Sequence, residues 1–259
     1  MSEELVHLEV AGGVATITLD SPSNRNALSR ALIAGLESSL AAALTDDAAR
    51  LIVLTHTGPV FCSGADLKEA RTGGAPAGPS GQGGLVGILK TLWRSPKPVI
   101  ARVGGPTRAG GIGLVAACDM AIGVEDATFA FSEVRLGLIP AIISVVVLPK
   151  LGVTKGMELF LTGNTFDGAE AARLGLLNAA VPAEKLDETL DGYVASVLKG
   201  APGALSGCKR LVREVPGMPL DEAFAQTAEW TAEYFGSEEA LEGMTAFAQK
   251  RPPRWAEEK

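Results

Sequence analysis

Val103-Gly104-Gly105-Pro106-Thr107-Arg108-Ala109-Gly110-Gly111-Ile112-Gly113-Leu114 carries the chain from a short apolar run into a helical one through a string of glycines. Val99–Val103 has the β-branched, apolar character of a strand buried on both faces, with Pro96 and Pro98 marking its start. Gly110–Cys118 reads as the helix that follows it. Such a junction leaves the first N–H groups of the helix without partners at the positive end of its dipole, where an oxyanion or a phosphate is stabilised. The glycine spacing matches neither the dinucleotide fingerprint nor the P-loop, which turns the reading away from nucleotide phosphates.

Two further segments place chemistry beside strand ends. Leu51–Thr55 is a second buried strand, followed by Phe61-Cys62-Ser63-Gly64-Ala65-Asp66-Leu67-Lys68. Ser63-Gly64 suits a sharp turn that points peptide N–H groups outward, and Asp66 suits the first turn of a helix. Downstream, Phe129-Ala130-Phe131-Ser132-Glu133-Val134-Arg135-Leu136-Gly137-Leu138-Ile139-Pro140 sets one carboxylate, Glu133, in apolar company. Desolvation there raises its pKa toward the range useful for proton transfer, unless Glu133 pairs with Arg135 or Arg108. A salt bridge to a local acid is the expected role of Arg108, ahead of contact with an acidic acyl group.

The rest of the chain supplies the frame. Leu5–Val10 and Val14–Leu19 alternate as a hairpin around Ala11-Gly12-Gly13, and Ser29–Leu44 keeps helical spacing with Ser29 as its N-cap. Thr72–Gly84, rich in Gly, Pro and Ser, reads as a mobile loop rather than a domain linker, because strand and helix patterns resume on both sides. Thr128–Phe131 is a short strand and Ile142–Lys150 a helix. From Val153 the pattern is mostly helical, through Pro182–Leu198, Gly203–Glu214 and Leu220–Phe247. The expected architecture is α/β, with residues 1–195 as the core and 196–259 as a helical C-terminal region.

Composition narrows the function. A net charge of −7 argues against nucleic acid as a partner. The longest apolar run, Ile139–Leu148, is interrupted by Pro140 and Ser144 and is too short to span a bilayer. Cys62, Cys118 and Cys208 lie far apart and read as small core residues in a reduced compartment. His7 and His56 have no triad-like or metal-ligand setting, so no metal is expected. The acidic Met1-Ser2-Glu3-Glu4 lacks the features of a signal peptide, and the expected compartment is the cytoplasm.

In combination and order, these segments resemble the enoyl-CoA hydratase/isomerase (crotonase) superfamily, whose members read close to F-C-x-G-A-D-L-K, then G-x-x-x-x-G-G, then a catalytic Glu before L-G-x-x-P. Asn24-Arg25-Asn26-Ala27-Leu28, Ala117-Cys118-Asp119, Leu161-Thr162-Gly163 and Ala169-Leu174-Gly175-Leu176 extend the likeness over almost the whole chain. The resemblance implies a ββα spiral core and an acyl-CoA thioester substrate, with no cofactor beyond the coenzyme A of the substrate itself. It implies an oxyanion hole from the backbone N–H groups of Ala65 and Gly110, and Glu133 as acid/base. It makes Arg25, Ser63, Asp66, Leu67 and Lys68 neighbours of the coenzyme. Phe247 and Lys250, which resemble the family's closing F-x-x-K, would reach a coenzyme held by an adjoining subunit of a trimer or a dimer of trimers.

Two positions depart from that pattern. Well-studied hydratases of the family carry a second glutamate three residues after the oxyanion-hole glycine, where this chain has Gly113. Pro140-Ala141-Ile142-Ile143-Ser144 replaces a more usual Pro-Gly-x-Gly-Gly, which should narrow or reshape the acyl pocket. The activity expected first is reversible hydration of a trans-2-enoyl-CoA. A Δ3-Δ2-enoyl-CoA isomerase using Glu133 alone is the alternative, and an acyl-CoA binding protein without catalysis is a third.

Overall fold

The computed structural model describes residues 4–71 and 83–256. A hairpin opens the chain, β1 (Val6–Ala11) and β2 (Val14–Leu19), then α1 (Arg30–Thr45) and β3 (Leu51–His56). The five-residue α2 (Leu67–Arg71) and α3 (Gly84–Arg94) lead to β4 (Val99–Val103), β5 (Thr107–Arg108) and α4 (Gly110–Ala117). β6 (Met120–Val124) and β7 (Thr128–Ala130) follow, then a 3-10 turn over Ser132–Leu136 that holds Glu133, and α5 (Ala141–Thr162). β8 (Phe166–Asp167), α6 (Gly168–Arg173), β9 (Ala179–Val181) and α7 (Leu186–Leu198) close the sheet region. The C-terminal part is α8 (Pro202–Glu214), α9 (Leu220–Phe235) and α10 (Glu238–Ala248).

The main sheet has six strands in the order β1-β2-β3-β4-β6-β9, and a smaller one runs β5-β7-β8. β1 and β2 are antiparallel, whereas β2 through β9 of the main sheet pair parallel. Leu51–Leu54 are all buried, as a strand covered on both faces requires. α1 packs on β1 and β2, and α7 on β3 and β6. Parallel strands put all their carboxyl ends on one edge, so the turns after β3 and β4 emerge side by side, the usual position of a site in such sheets.

Local chemistry sets most element ends where they were expected. The Ser29 hydroxyl accepts from the Leu32 N–H (3.2 Å) and starts α1 one residue later. The helix expected over Ile142–Lys150 instead runs to Thr162, through Pro149 and a kink at Gly152 (φ +69°). The helix expected over Leu220–Phe247 is two helices, because the Ser237 side chain accepts from the Ala240 N–H (3.1 Å) and caps a fresh start. Cys62 and Cys118 are core residues, but Cys208 is exposed on α8, contrary to the expectation of burial. No helix among the described residues is long and apolar enough to cross a membrane.

At the opposite edge of the sheet, α8 is pinned by one carboxylate. Asp119, at the start of β6, accepts from the Val99 N–H (2.7 Å) and pairs with Lys209 (2.6 Å) and Arg213 (2.5 Å). All three side chains are largely buried, at 14%, 11% and 16% exposure, and the Arg213 guanidinium also lies over the Trp93 ring. Removing the carboxylate leaves two cations in a poorly solvated pocket. Asp119→Ala should lower stability by about 3 kcal/mol in urea unfolding, with amide exchange accelerated in α8. A change confined within ~0.5 kcal/mol would show that the cluster is solvated.

Candidate active site

The site grows from the turns after β3 and β4. Phe61 and Cys62 are fully buried, and the chain then turns at Gly64, whose φ of +89° suits glycine. The Phe61 N–H donates to the Pro106 carbonyl (3.1 Å) and the Arg108 N–H to the Cys62 carbonyl (2.9 Å). The two segments therefore run as a short parallel ladder, with Cys62 opposite Thr107. A Cβ built on Gly64 would lie 3.0 Å from the Ala109 Cβ and 3.4 Å from the Arg108 carbonyl oxygen. The turns are in contact.

A third strip of chain supports the first turn. The Leu28 N–H donates to the Gly64 carbonyl (2.8 Å) and the Ser63 N–H to that of Arg25 (3.1 Å). Asn26 holds this strip in place. Its fully buried side chain accepts from the Ser21 N–H (2.7 Å) and donates to the carbonyls of Thr57 (3.1 Å) and Val60 (2.8 Å). Arg25 and Asn26 both adopt left-handed backbone (φ +59° and +51°) to make the bend, a conformation asparagine tolerates well.

Ala65 and Gly110, the residues expected to donate to an oxyanion, each directly follow one of the two residues, Gly64 and Ala109, at which the turns touch. Neither N–H donates to another group among the described residues. Gly110 opens α4, whose residues are all buried, so its N–H lies at a helix N-terminus in apolar surroundings. A Cβ there would come within 2.6 Å of Leu28 Cδ1 and 3.2 Å of Leu85 Cδ2, so only glycine fits without repacking. Ala109, just before it, has φ +47° and ψ −118°, costly for a residue with a side chain, at about 1–3 kcal/mol. Its N–H donates to the Ala130 carbonyl (3.3 Å).

That bond joins the second turn to the end of β7, and Glu133 lies a short way further along the chain. Ala130 ends β7, and three peptide links of at most ~3.8 Å each separate it from Glu133. The Glu133 Oε2 is shut off from solvent and has no hydrogen-bond partner among the described residues. Burial pushes this carboxyl above its ordinary value, against a smaller opposing pull from its own backbone N–H. Neither expected arginine pairs with it. Arg108 donates to Thr128, at its carbonyl and its Oγ1 (2.8 Å), and to the Thr107 carbonyl (3.0 Å), tying β5 to β7. The salt bridge expected of Arg108 is not formed, because backbone oxygens in a short parallel ladder lie nearer than any acid. Arg135 turns away to the Thr162 carbonyl (3.2 Å) and Asn164 Oδ1 (3.0 Å). Cys62 is no nucleophile: burial pushes its thiol up to about 12.

The residues expected around the coenzyme are spread more widely. Asp66 caps α2 by accepting from the N–H groups of Lys68 (2.9 Å) and Glu69 (3.2 Å), so its carboxylate is already engaged. Ser63 lies part-buried in the first turn, with Leu67 and Lys68 exposed beside it and Arg25 exposed on the supporting strip. Phe247, 87% exposed, ends α10, which packs on α9, and Lys250 follows it. They stand on the C-terminal helices, not on the sheet edge that carries the turns. Residues 72–82 of the expected loop lie outside the described residues. His7 contacts Asp20 (2.8 Å). The His56 ring nitrogens meet the Gly104 N–H (3.0 Å) and the Thr57 carbonyl (3.2 Å), a bracing role between strand-end loops.

Residues 9–258 match the family model described as enoyl-CoA hydratase/isomerase. The chain belongs to that family. It is 34% identical to the carnitinyl-CoA dehydratase of Proteus mirabilis over 261 aligned positions, covering 98% of this chain and 99% of the relative. Among solved structures, Pseudomonas aeruginosa AtuE superposes with a TM-score of 0.90 at 36% identity, over 98% of this chain and 100% of AtuE. Enoyl-CoA hydratase of Mycobacterium smegmatis gives 0.88 at 32%, over 98% and 100%. The α/β core with its helical C-terminal region is thus a crotonase fold, and the chain is an enzyme of the enoyl-CoA hydratase/isomerase family.

The unpartnered carboxyl yields a two-sided prediction. A group whose pKa is raised by folding stabilises the fold in its neutral form, and that contribution is lost as pH rises through the folded-state value. Ionisation of Glu133 therefore weakens the fold, and at a pH above its folded-state value Glu133→Gln should raise Tm while lowering kcat about 100-fold or more. Wild-type kcat/KM should fall on the acid side along a limb displaced above 4.5, the ordinary glutamate value. An unchanged Tm together with retained activity would show Glu133 to be an ordinary solvated residue.

Proposed function

We propose that this enzyme acts on an enoyl-CoA thioester, with the N–H groups of Ala65 and Gly110 holding the carbonyl oxygen as it gains charge and Glu133 moving the proton. Two such donors in apolar surroundings stabilise an enolate, each by about 3 kcal/mol. The observation that carries the reaction type is the isolation of Glu133: its buried oxygen has no partner among the described residues, and residue 113 is a buried glycine with nothing to donate or accept beyond its backbone. Taking a proton from the α-carbon and returning it at the γ-carbon needs one base. Adding water needs a group to hold and activate that water as well. The site thus favours migration of a double bond from the 3- to the 2-position of an enoyl-CoA.

Hydration, the activity expected first from the sequence, is the second reading. It is favoured by the names of the relatives, a carnitinyl-CoA dehydratase and an enoyl-CoA hydratase. In that case Glu133 serves the water unaided. A panel of 2-enoyl- and 3-enoyl-CoA esters in oxygen-labelled water separates the two. Double-bond migration without label uptake supports the first, and a 3-hydroxyacyl product carrying solvent oxygen replaces it with the second.

A homotrimer or a dimer of trimers goes with this reading. Val153, Met157 and Leu161 leave an apolar stripe exposed on α5, and Phe224, Phe235 and Phe247 another on the C-terminal helices. Two different patches suit a head-to-tail contact, which closes into a ring. Residues 196–259 are the region we assign to that assembly, with Phe247 and Lys250 completing a neighbour's coenzyme site. Light scattering should give a trimer or hexamer mass, and Phe247→Asp should weaken coenzyme A binding; a monomer with unaltered binding would remove the assignment.

A further inference from the structure

Gly110 and Gly113 stand one turn apart on the same face of α4. Helical side chains lean toward the N-terminus, so any group on residue 113 would project over the turn that presents the Gly110 N–H. That space is filled from another helix. A Cβ built on Gly113 would lie 2.4 Å from Ile143 Cγ2, 3.0 Å from Ile143 Cβ and 3.7 Å from Leu89 Cδ1. Ile143 is 3% exposed and is the third residue of α5, which follows the turn that holds Glu133. Its branched side chain has essentially one rotamer in a helix, so it cannot swing clear.

Next to this contact lies a cleft of about 410 Å³ whose lining is mainly apolar, Leu89, Trp93, Ile142 and Val146 among it, with Lys90 and Arg94 also part of it. Leu89 belongs both to the cleft and to the surroundings of Gly113. Ile143 and Leu89 therefore form the partition between the cleft and the oxyanion turn. On the side toward Gly113 this wall is hydrocarbon: it offers no proton carrier and no anchor for a water molecule.

We propose that Ile143 is the specificity-determining residue of the site, seated on Gly113 so that neither a second acid nor an ordered water can approach the reacting carbons from that side, and closing the acyl site off from the cleft. The inference rests on the single-base reading above. It makes the glycine and the isoleucine one unit: an acid at 113 is admitted only when 143 is small, and a small residue at 143 opens the acyl site into the cleft, so that longer acyl chains enter.

The test is a double-mutant cycle of wild type, Gly113→Glu, Ile143→Gly and the double variant, read by thermal unfolding and by products from 2-enoyl- and 3-enoyl-CoA in oxygen-labelled water. Gly113→Glu alone should lose about 5 °C or more in Tm through overpacking, and adding Ile143→Gly should recover at least half of that loss. The double variant should hydrate 2-enoyl-CoA about 100-fold faster than wild type. A Gly113→Glu single variant as stable as the double overturns the proposal, as does a double variant that hydrates no faster than wild type. If the glutamate variants do not fold, Ile143→Ala decides: the preference in kcat/KM for 3-decenoyl- over 3-hexenoyl-CoA should rise about tenfold, and an unchanged preference overturns the proposal. A wild type inert on 3-enoyl-CoA, with the stability coupling and the hydrating double variant intact, strikes the double-bond reading alone.

Discussion

The short ladder between Phe61-Cys62 and Pro106-Arg108 fixes the turns after β3 and β4 to each other, and two peptide N–H groups, the proposed oxyanion donors, could grip one oxygen only from turns held in this way. Everything around it serves that registry. Parallel β3 and β4 deliver the two chains to the same edge. Asn26 ties a third strip under the first turn through carbonyls 31 and 34 residues away, and Arg108 ties the second turn to β7. The strain at Ala109 (φ +47°) is carried at the residue just before the Gly110 N–H, where a preorganised donor, in the proposed function, would repay it. Substitution of a side chain cannot supply or remove such donors, which is why backbone conformation rather than a reactive residue type is the centre of this site.

The chemistry then depends on what is kept out. Glu133 is half-buried, and its Oε2 has no hydrogen-bond partner among the described residues, so burial raises its proton affinity. α4 is apolar along its whole length, and glycine at 113 lets α5 close against it. The result is a site rich in charge stabilisation and poor in proton carriers. That balance is the basis of the double-bond migration proposed above.

Much of this was legible in the sequence. Leu51–Thr55 and Val99–Val103 read as doubly buried strands because β-branched apolar runs have few alternatives, and Ser29 announced its helix by standing before the first apolar repeat. The turn segments and Glu133 were legible in combination rather than singly. What could not be read were the contacts made across long stretches of chain. Arg108 looked like a partner for an acid, but its partners are Thr107 next to it and Thr128, which the sheet brings beside it. Asn26 carried no local sign that it would bridge two loops. The break between α9 and α10 was hidden because apolar spacing continues through it while Ser237 quietly restarts the helix. Gly113 and Ile143 were each visible as departures, yet that one fills the space left by the other is a fact of packing between helices thirty residues apart.

In the proposed function the Ala65 and Gly110 N–H groups polarise the thioester carbonyl of a bound enoyl-CoA. Infrared difference spectroscopy of an enoyl-CoA isotopically labelled at that carbonyl tests it directly. The carbonyl stretch should move to lower frequency on binding and return toward its solution position in Ala65→Pro, which deletes one donor. A bound thioester whose carbonyl frequency equals that in water, or one unaffected by Ala65→Pro, would contradict it.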